Sequence, residues 1–246
     1  MPLKHLVHRT ARALGYRIER IEPKPHYAGE TSRHEYQRRY VRFDIQAGDA
    51  VLDIGCGADP LPEATMVVDR YPQPTRHRHS PLDTQGKPLV LADIHHLPFS
   101  DKAFDFVYCA HVLEHVDDPI AACRQIMRVG RRGFIETPAL AKDLLFSWAQ
   151  GMHRWHVQAI ADTLVFFEYS PRLVQGIRSP AWRRLILGEE RHPLQDAFYD
   201  NQDVFNTMLP WTGGFQVVVF TLDGRIRSHD GRTFTAQAVP APALAA

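Results

Sequence analysis

Ala50-Val51-Leu52-Asp53-Ile54-Gly55-Cys56-Gly57 is the stretch on which the reading of this chain turns. A short, continuously apolar run that ends in an acid and two glycines reads as a buried strand entering a tight turn. The same phrase recurs downstream. Met66-Val67-Val68 is closed by Asp69, and the run Pro88 to Ala92 is closed by Asp93. Phe104 to Ala110 leads into a helical stretch, Ile120 to Val129, and Gly133 to Thr137 reads as a fifth strand ended by Pro138. Short apolar strands separated by helix-length connections predict an α/β fold: a doubly wound, mostly parallel sheet with helices on both faces.

Outward from this core the texture changes. Residues 1–44 hold ten Lys/Arg against five Asp/Glu, while the chain as a whole is balanced at +1. Leu3, Leu6, Val7, Thr10, Ala11 and Leu14 recur at helical spacing, so residues 1–45 are expected to form a basic helical N-terminal extension, with a second helical stretch at Thr31 to Tyr40. Docking on the core is the plain expectation for it, and contact with an anionic membrane surface the alternative. The expected main domain runs from 46 to 239. It holds an acceptor-side insertion at about 140–212, with aromatic-rich segments at Trp148 to Trp155 and Leu164 to Tyr169 and a helix near Ala181 to Leu187. A strand at Phe215 to Leu222, the hairpin dipeptide Asp223-Gly224, Arg225 to Ser228 and Thr233 to Val239 predict a C-terminal antiparallel hairpin. The last residues, 240–246, read as a disordered tail.

Composition excludes some functions. A net charge of +1 argues against bulk polyanion binding, and no apolar run reaches the roughly 20 residues of a membrane-spanning helix. The start of the chain lacks the apolar stretch of a signal peptide, so a cytoplasmic protein is expected. Three cysteines without CxxC spacing predict buried, reduced thiols.

In a doubly wound sheet, ligands bind beyond the carboxyl ends of the strands. Gly55 and Gly57 let the backbone bend toward such a ligand, and a helix expected after them would present free N–H groups. Asp69, after the second strand, has the two acceptor oxygens that suit a pair of ribose hydroxyls. A dinucleotide fits less well: Pro60 stands where Gly-x-Gly-x-x-Gly has its third glycine, and Asp59 would face a pyrophosphate.

VLDIGCG at 51–57, the acid Asp69, ADIHHLPF with Asp93, FDFVYCAHVLEHVDDP and GFIETP, in this order, resemble the class I S-adenosylmethionine-dependent methyltransferases, in particular the methyltransferase type 11 group, over about residues 48–140. The resemblance implies a Rossmann-like methyltransferase fold with S-adenosyl-L-methionine as cofactor. By it, Asp53, Gly55, Cys56 and Gly57 line the methionine end, Asp69 and Arg70 the ribose, and Asp93 and Ile94 the adenine. Cys109, Ala110 and His111 sit near the methyl group. His115, in LEHV, reads as structural or cofactor-adjacent.

Methyl transfer to a hydroxyl calls for a general base, and histidine suits one near neutral pH. His111 is placed for it by the resemblance. His153-Arg154-Trp155-His156 follows the fifth strand and offers imidazoles, a guanidinium and an indole to a polyol acceptor, or else forms an amphipathic segment with Trp155 buried. His77, His79, His95 and His96 raise a metal reading, but without HExxH or Cys/His pairing no metal is expected. The function expected is methyl transfer at oxygen to a small-molecule or glycan acceptor and not to nucleic acid. The alternatives are a SAM-binding partner subunit without catalysis and a nicotinamide-dependent reductase.

Overall fold

The protein is described by a computed structural model, which places residues 3–16, 33–75, 81–146, 153–171, 198, 200–230 and 233–235. In chain order the elements are α1 (Leu3–Ala13), α2 (Arg33–Tyr40), β1 (Val51–Ile54), β2 (Met66–Asp69), β3 (Leu89–Leu91), β4 (Phe104–Ala110), α3 (Pro119–Val129), β5 (Gly130–Pro138), α4 (Leu140–Phe146), β6 (Trp155–Ile160), β7 (Thr163–Glu168), α5 (Gln202–Phe205), β8 (Asn206–Thr212), β9 (Gln216–Phe220), β10 (Arg225–Ser228) and β11 (Thr233–Thr235). Short 3-10 turns at Ile94–His96 and Leu113–His115 stand before and after β4.

The main sheet has the order β3-β2-β1-β4-β5-β8, parallel throughout except for β8, which runs antiparallel to β5. The predicted mostly parallel α/β sheet is therefore present, and β1 to β5 fall on the five apolar runs. The order reverses beside β1, between the β1–β2 and β1–β4 pairs, which puts a ligand crevice at the carboxyl ends of these strands. α3 begins with a cap that the sequence specifies: Asp118 accepts from the backbone N–H groups of Ile120 and Ala121, and Pro119 takes the first turn.

Three features differ from expectation. No helix follows the glycine turn: residues 55–65 are turns and bends, in a stretch holding Pro60 and Pro62. The C-terminal hairpin is part of a second, mostly antiparallel sheet, β11-β10-β9-β7-β6, in which β7 and β9 are parallel. The aromatic segment Leu164 to Tyr169 thus supplies β7, and β8 was not foreseen.

Apolar side chains of the second sheet, among them Trp155, Val157, Phe166, Val217 and Val219, share one core with Leu52, Ile54, Ile126 and Ile135. The opposite face of the main sheet packs Val51, Val67, Tyr108 and Phe134 with Phe43. α2 closes that side. The Tyr108 hydroxyl donates to Gln37 Oε1 at 2.9 Å, and that of Tyr36 to Glu136 Oε1 at 2.5 Å. All three cysteines are buried free thiols, as expected. No described helix is long and apolar enough to cross a membrane. The expected helix at Ala181 to Leu187, the Trp148 end of the aromatic segment, His77, His79 and the 240–246 tail lie outside the described residues.

Candidate active site

A cavity of about 750 Å³ opens at the carboxyl ends of β1, β2 and β4. Its floor is the glycine turn. Gly55 has φ +75°, and a Cβ there would lie 2.2 Å from Val112 Cγ2, so only glycine fits. Gly57 has φ +59°, and its N–H donates to Asp69 Oδ2 at 3.2 Å. Asp69 Oδ1 accepts from the Tyr71 N–H at 2.9 Å. The acid at the end of β2 thus ties the glycine turn to the next loop and keeps its carboxylate on the cavity wall. A carboxylate oxygen accepts more than one donor, so the same group can also hold ligand hydroxyls.

Asp93 caps the 3-10 turn that follows β3. Its Oδ1 accepts from the His95 N–H at 3.0 Å and lies 2.6 Å from His95 Nδ1, while Arg70 approaches Oδ2 at 3.2 Å. Burial works against ionisation here, but the hydrogen bonds from His95 outweigh it and hold the Asp93 carboxyl below its usual range. His95 Nε2 in turn accepts from the Asp118 N–H, so this ring, raised as a metal candidate by the sequence, is engaged at both nitrogens.

Of the residues expected at the cofactor, Gly55, Cys56, Gly57, Asp69, Arg70, Asp93, Ile94 and Ala110 line the cavity. Asp53 and Cys109 lie behind the wall. Asp53 is 1% exposed, and its Oδ2 accepts from the Leu61 N–H at 2.7 Å, which braces the turn from beneath. Desolvation, only partly offset by that hydrogen bond and by Arg33, pushes its carboxyl up to about 7. Cys109 is fully buried in the core, and desolvation drives its thiol well above the usual range.

The three histidines expected in catalysis part company. His111 lines the cavity directly after β4 with φ +58°, a left-handed conformation that histidine adopts more readily than most side chains. Its Nε2 is 2.9 Å from Glu136 Oε1, and its Nδ1 is 3.5 Å from Glu114 Oε1. His153 also lines the cavity, with Nδ1 at 2.8 Å from Asp143 Oδ1. His156 does not. It sits on β6 with its ring stacked on Phe167 at 5.5 Å, and burial lowers its pKa. Trp155 is core rather than acceptor platform: it is 3% exposed, and its indole N–H donates to the Val116 carbonyl. Arg154 turns outward to Asp117.

Several site residues were not read from the sequence. Arg33, from α2, lines the cavity, donates to the Asp59 carbonyl at 2.7 Å and keeps a buried Nε without a hydrogen-bond partner among the described residues. Glu114, 1% exposed, faces the same space. Burial opposes its charge, but His115, with His111 and His153, pulls its carboxyl down to about 2. Lys142 lines the wall, donates to Asn206 Oδ1 at 2.6 Å and has its pKa lowered by burial. Glu136 stays ionised despite its burial, through His111, Lys142 and Tyr36. A buried acid in the apolar strand GFIETP is the one signal in the sequence that could have flagged it.

Residues 52–135 match the family model described as a methyltransferase domain. A ubiquinone biosynthesis O-methyltransferase of Aromatoleum aromaticum is 33% identical over 111 residues, covering 37% of this chain and 44% of the relative. One of Sodalis glossinidius is 27% identical over 187 residues, covering 66% and 72%. The chain thus spans less than half the length of the first of these relatives. A solved structure from Haloferax volcanii, a complex of the Trm112 methyltransferase activator and a putative methyltransferase, aligns with a TM-score of 0.40 at 16% identity over 53% of this chain and 71% of that one. The stretch 52–135, which supplies β1 to β4 and most of β5, thus resembles a methyltransferase domain.

Proposed function

We propose that this protein is an S-adenosylmethionine-dependent O-methyltransferase whose acceptor is a hydroxyl-bearing small molecule or glycan. One observation carries the reading: His111, paired with the buried Glu136, opens into the same cavity as the glycine turn and the strand-end acids Asp69 and Asp93. The cavity fits the cofactor. Two carboxylates on one side suit ribose hydroxyls and an exocyclic amine, and the Arg33 guanidinium suits a carboxylate. When bound, the cofactor supplies a sulfonium methyl whose transfer leaves a neutral thioether. The protein's own part is to orient the acceptor and take its proton.

Glu136 serves that task through His111. Buried carboxylates on both sides of the ring, Glu136 Oε1 at 2.9 Å from Nε2 and Glu114 Oε1 at 3.5 Å from Nδ1, fix the imidazole's orientation and steady the imidazolium that forms when a proton arrives. Tyr36 holds Glu136 from α2. The names of the relatives, O-methyltransferases of ubiquinone biosynthesis, support oxygen as the acceptor atom.

The test is thermal shift and calorimetry of the purified protein with S-adenosylmethionine, S-adenosylhomocysteine and NADP, followed by transfer of labelled methyl to a panel of phenols, polyols and glycans. Stabilisation by the sulfur ligands and label in a hydroxyl product are expected. Binding with no transfer to any acceptor would favour the non-catalytic partner subunit, and stabilisation by NADP alone would favour a reductase.

A further inference from the structure

We infer that α1 is a docking surface for an anionic lipid bilayer, on which the helix lies with its apolar stripe at the boundary between headgroups and acyl chains. The sequence sorts the helix into two sides. Leu3, Leu6, Val7 and Leu14 share one side of the helical repeat, and Lys4, His5, His8, Arg9 and Arg12 share the other. No acid precedes Glu19, so Lys4, Arg9, Arg12 and Arg17 stand unopposed in this stretch.

The helix forms without lending its apolar side to the core. Val7 is 45% exposed and Leu14 69%, and Tyr16 beyond them is exposed as well. Neither apolar cluster of the core includes a described residue of α1. Ala11 is the position that is buried, and it lies at the border between the stripe and the basic side. Arg9 and Arg12 are exposed, and neither forms an ion pair among the described residues. The end of the helix is nevertheless sharply defined. Gly15 has φ +81°, its N–H donates to the Arg12 carbonyl at 3.1 Å, and the Tyr16 N–H donates to the Ala11 carbonyl at 2.7 Å, the glycine-terminated helix end. Eleven residues are too few for a stable helix in water alone, and such helices are held by packing of the amphipathic face. Here that face is open.

Charge decides what covers it. An anionic bilayer offers hydrocarbon to the stripe and phosphates to the basic side within the width of one helix. A nucleic acid would engage the basic side alone and leave Val7 and Leu14 in water, and the +1 charge of the whole chain gives it no general attraction. Tyr16, at the helix end, is the kind of amphipathic ring that sits at headgroup level.

The test sediments the full chain with vesicles of phosphatidylcholine, with and without phosphatidylglycerol, over a range of salt. Binding is expected to the anionic vesicles and to weaken as salt rises. Val7→Asp with Leu14→Asp should weaken it by at least about 10-fold, since each burial of such a side chain is worth that much. Arg9→Gln with Arg12→Gln should weaken it by about 30-fold, from about fivefold for each charge. Without vesicles, both double variants should unfold at the wild-type temperature and bind S-adenosylhomocysteine as the wild type does, because these side chains are exposed. Equal binding to neutral and anionic vesicles, or none to either, would overturn the proposal. So would an aspartate variant that sediments like the wild type, or a wild type that prefers single-stranded RNA to vesicles, since the stripe would then play no part. Aspartate variants that unfold at lower temperature would also overturn it, by showing that the chain itself covers the stripe.

Discussion

Nε2 of His111 lies 2.9 Å from Oε1 of Glu136, and that same oxygen accepts the Tyr36 hydroxyl. A helix from the N-terminal segment, the end of β5 and the turn after β4 therefore meet at one carboxylate. The pairing predicts that His111→Ala lowers the methyl-transfer rate by about 10² to 10⁴, the usual cost of a lost general base, with S-adenosylhomocysteine affinity nearly unchanged. Glu136→Gln should lower kcat by a smaller factor and leave KM for the cofactor alone, because it acts through the ring. Single-turnover assays would read both, and near-normal rates would make His111 a structural residue.

Asp69 does two jobs, and its removal should show both. Asp69→Ala deletes the acceptors for the Gly57 and Tyr71 N–H groups as well as the carboxylate proposed to hold the ribose. A hydrogen bond to a charged group contributes about 1.5 to 3 kcal/mol. Calorimetry should show S-adenosylhomocysteine affinity lowered by at least about 10-fold, and thermal unfolding a modest loss of stability. Unchanged affinity would remove the end of β2 from the cofactor site.

The glycine turn offers a sharper packing test. At Gly55 a side chain meets both a left-handed φ and the Val112 methyl 2.2 Å away. Gly55→Ala should cost at least about 2 kcal/mol in urea unfolding and weaken the cofactor. Adding Val112→Ala should recover the steric part and leave the backbone part. No recovery in the double variant would mean that φ alone sets the cost.

What the sequence made legible follows physical lines. β4 was bounded to the residue because seven positions, apolar or aromatic except for Asp105, end at a polar turn, and Asp69 and Asp93 were legible because an acid at the end of an apolar run is conspicuous. β6 and β7 were not, since the turn between them is Ala161-Asp162. There Ala161 adopts φ +53° without the glycine or asparagine that announces a hairpin. The site residues Arg33, Tyr36, Glu136 and Lys142 are brought together across more than a hundred positions, a distance over which local pattern says nothing. Trp155 was half legible: the buried alternative was the right one, with its indole N–H satisfied by Val116. His156 belongs with it, turned by strand alternation toward Phe167 and away from His153.

Asp53 sets the pH dependence of stability. Its burial beneath the glycine turn leaves Oδ1 without a partner among the described residues and raises its carboxyl from 3.8 to about 7. A raised carboxyl pKa means that the folded state holds a proton the unfolded chain has released. The stabilisation is complete below about 3.8, where both states are protonated, and is lost as pH rises through about 7. A difference of about three units corresponds to an effect on the order of 4 kcal/mol at most. Urea unfolding should therefore show the wild-type protein losing stability between pH 5 and pH 8. Asp53→Asn, which keeps an acceptor for the Leu61 N–H and cannot ionise, should lose less over the same interval. Because every histidine titrates alike in both proteins, the difference between the two slopes isolates Asp53. Equal slopes would mean that this carboxylate is solvated or paired in the folded protein, and that the brace beneath Gly55 is already charged at neutral pH.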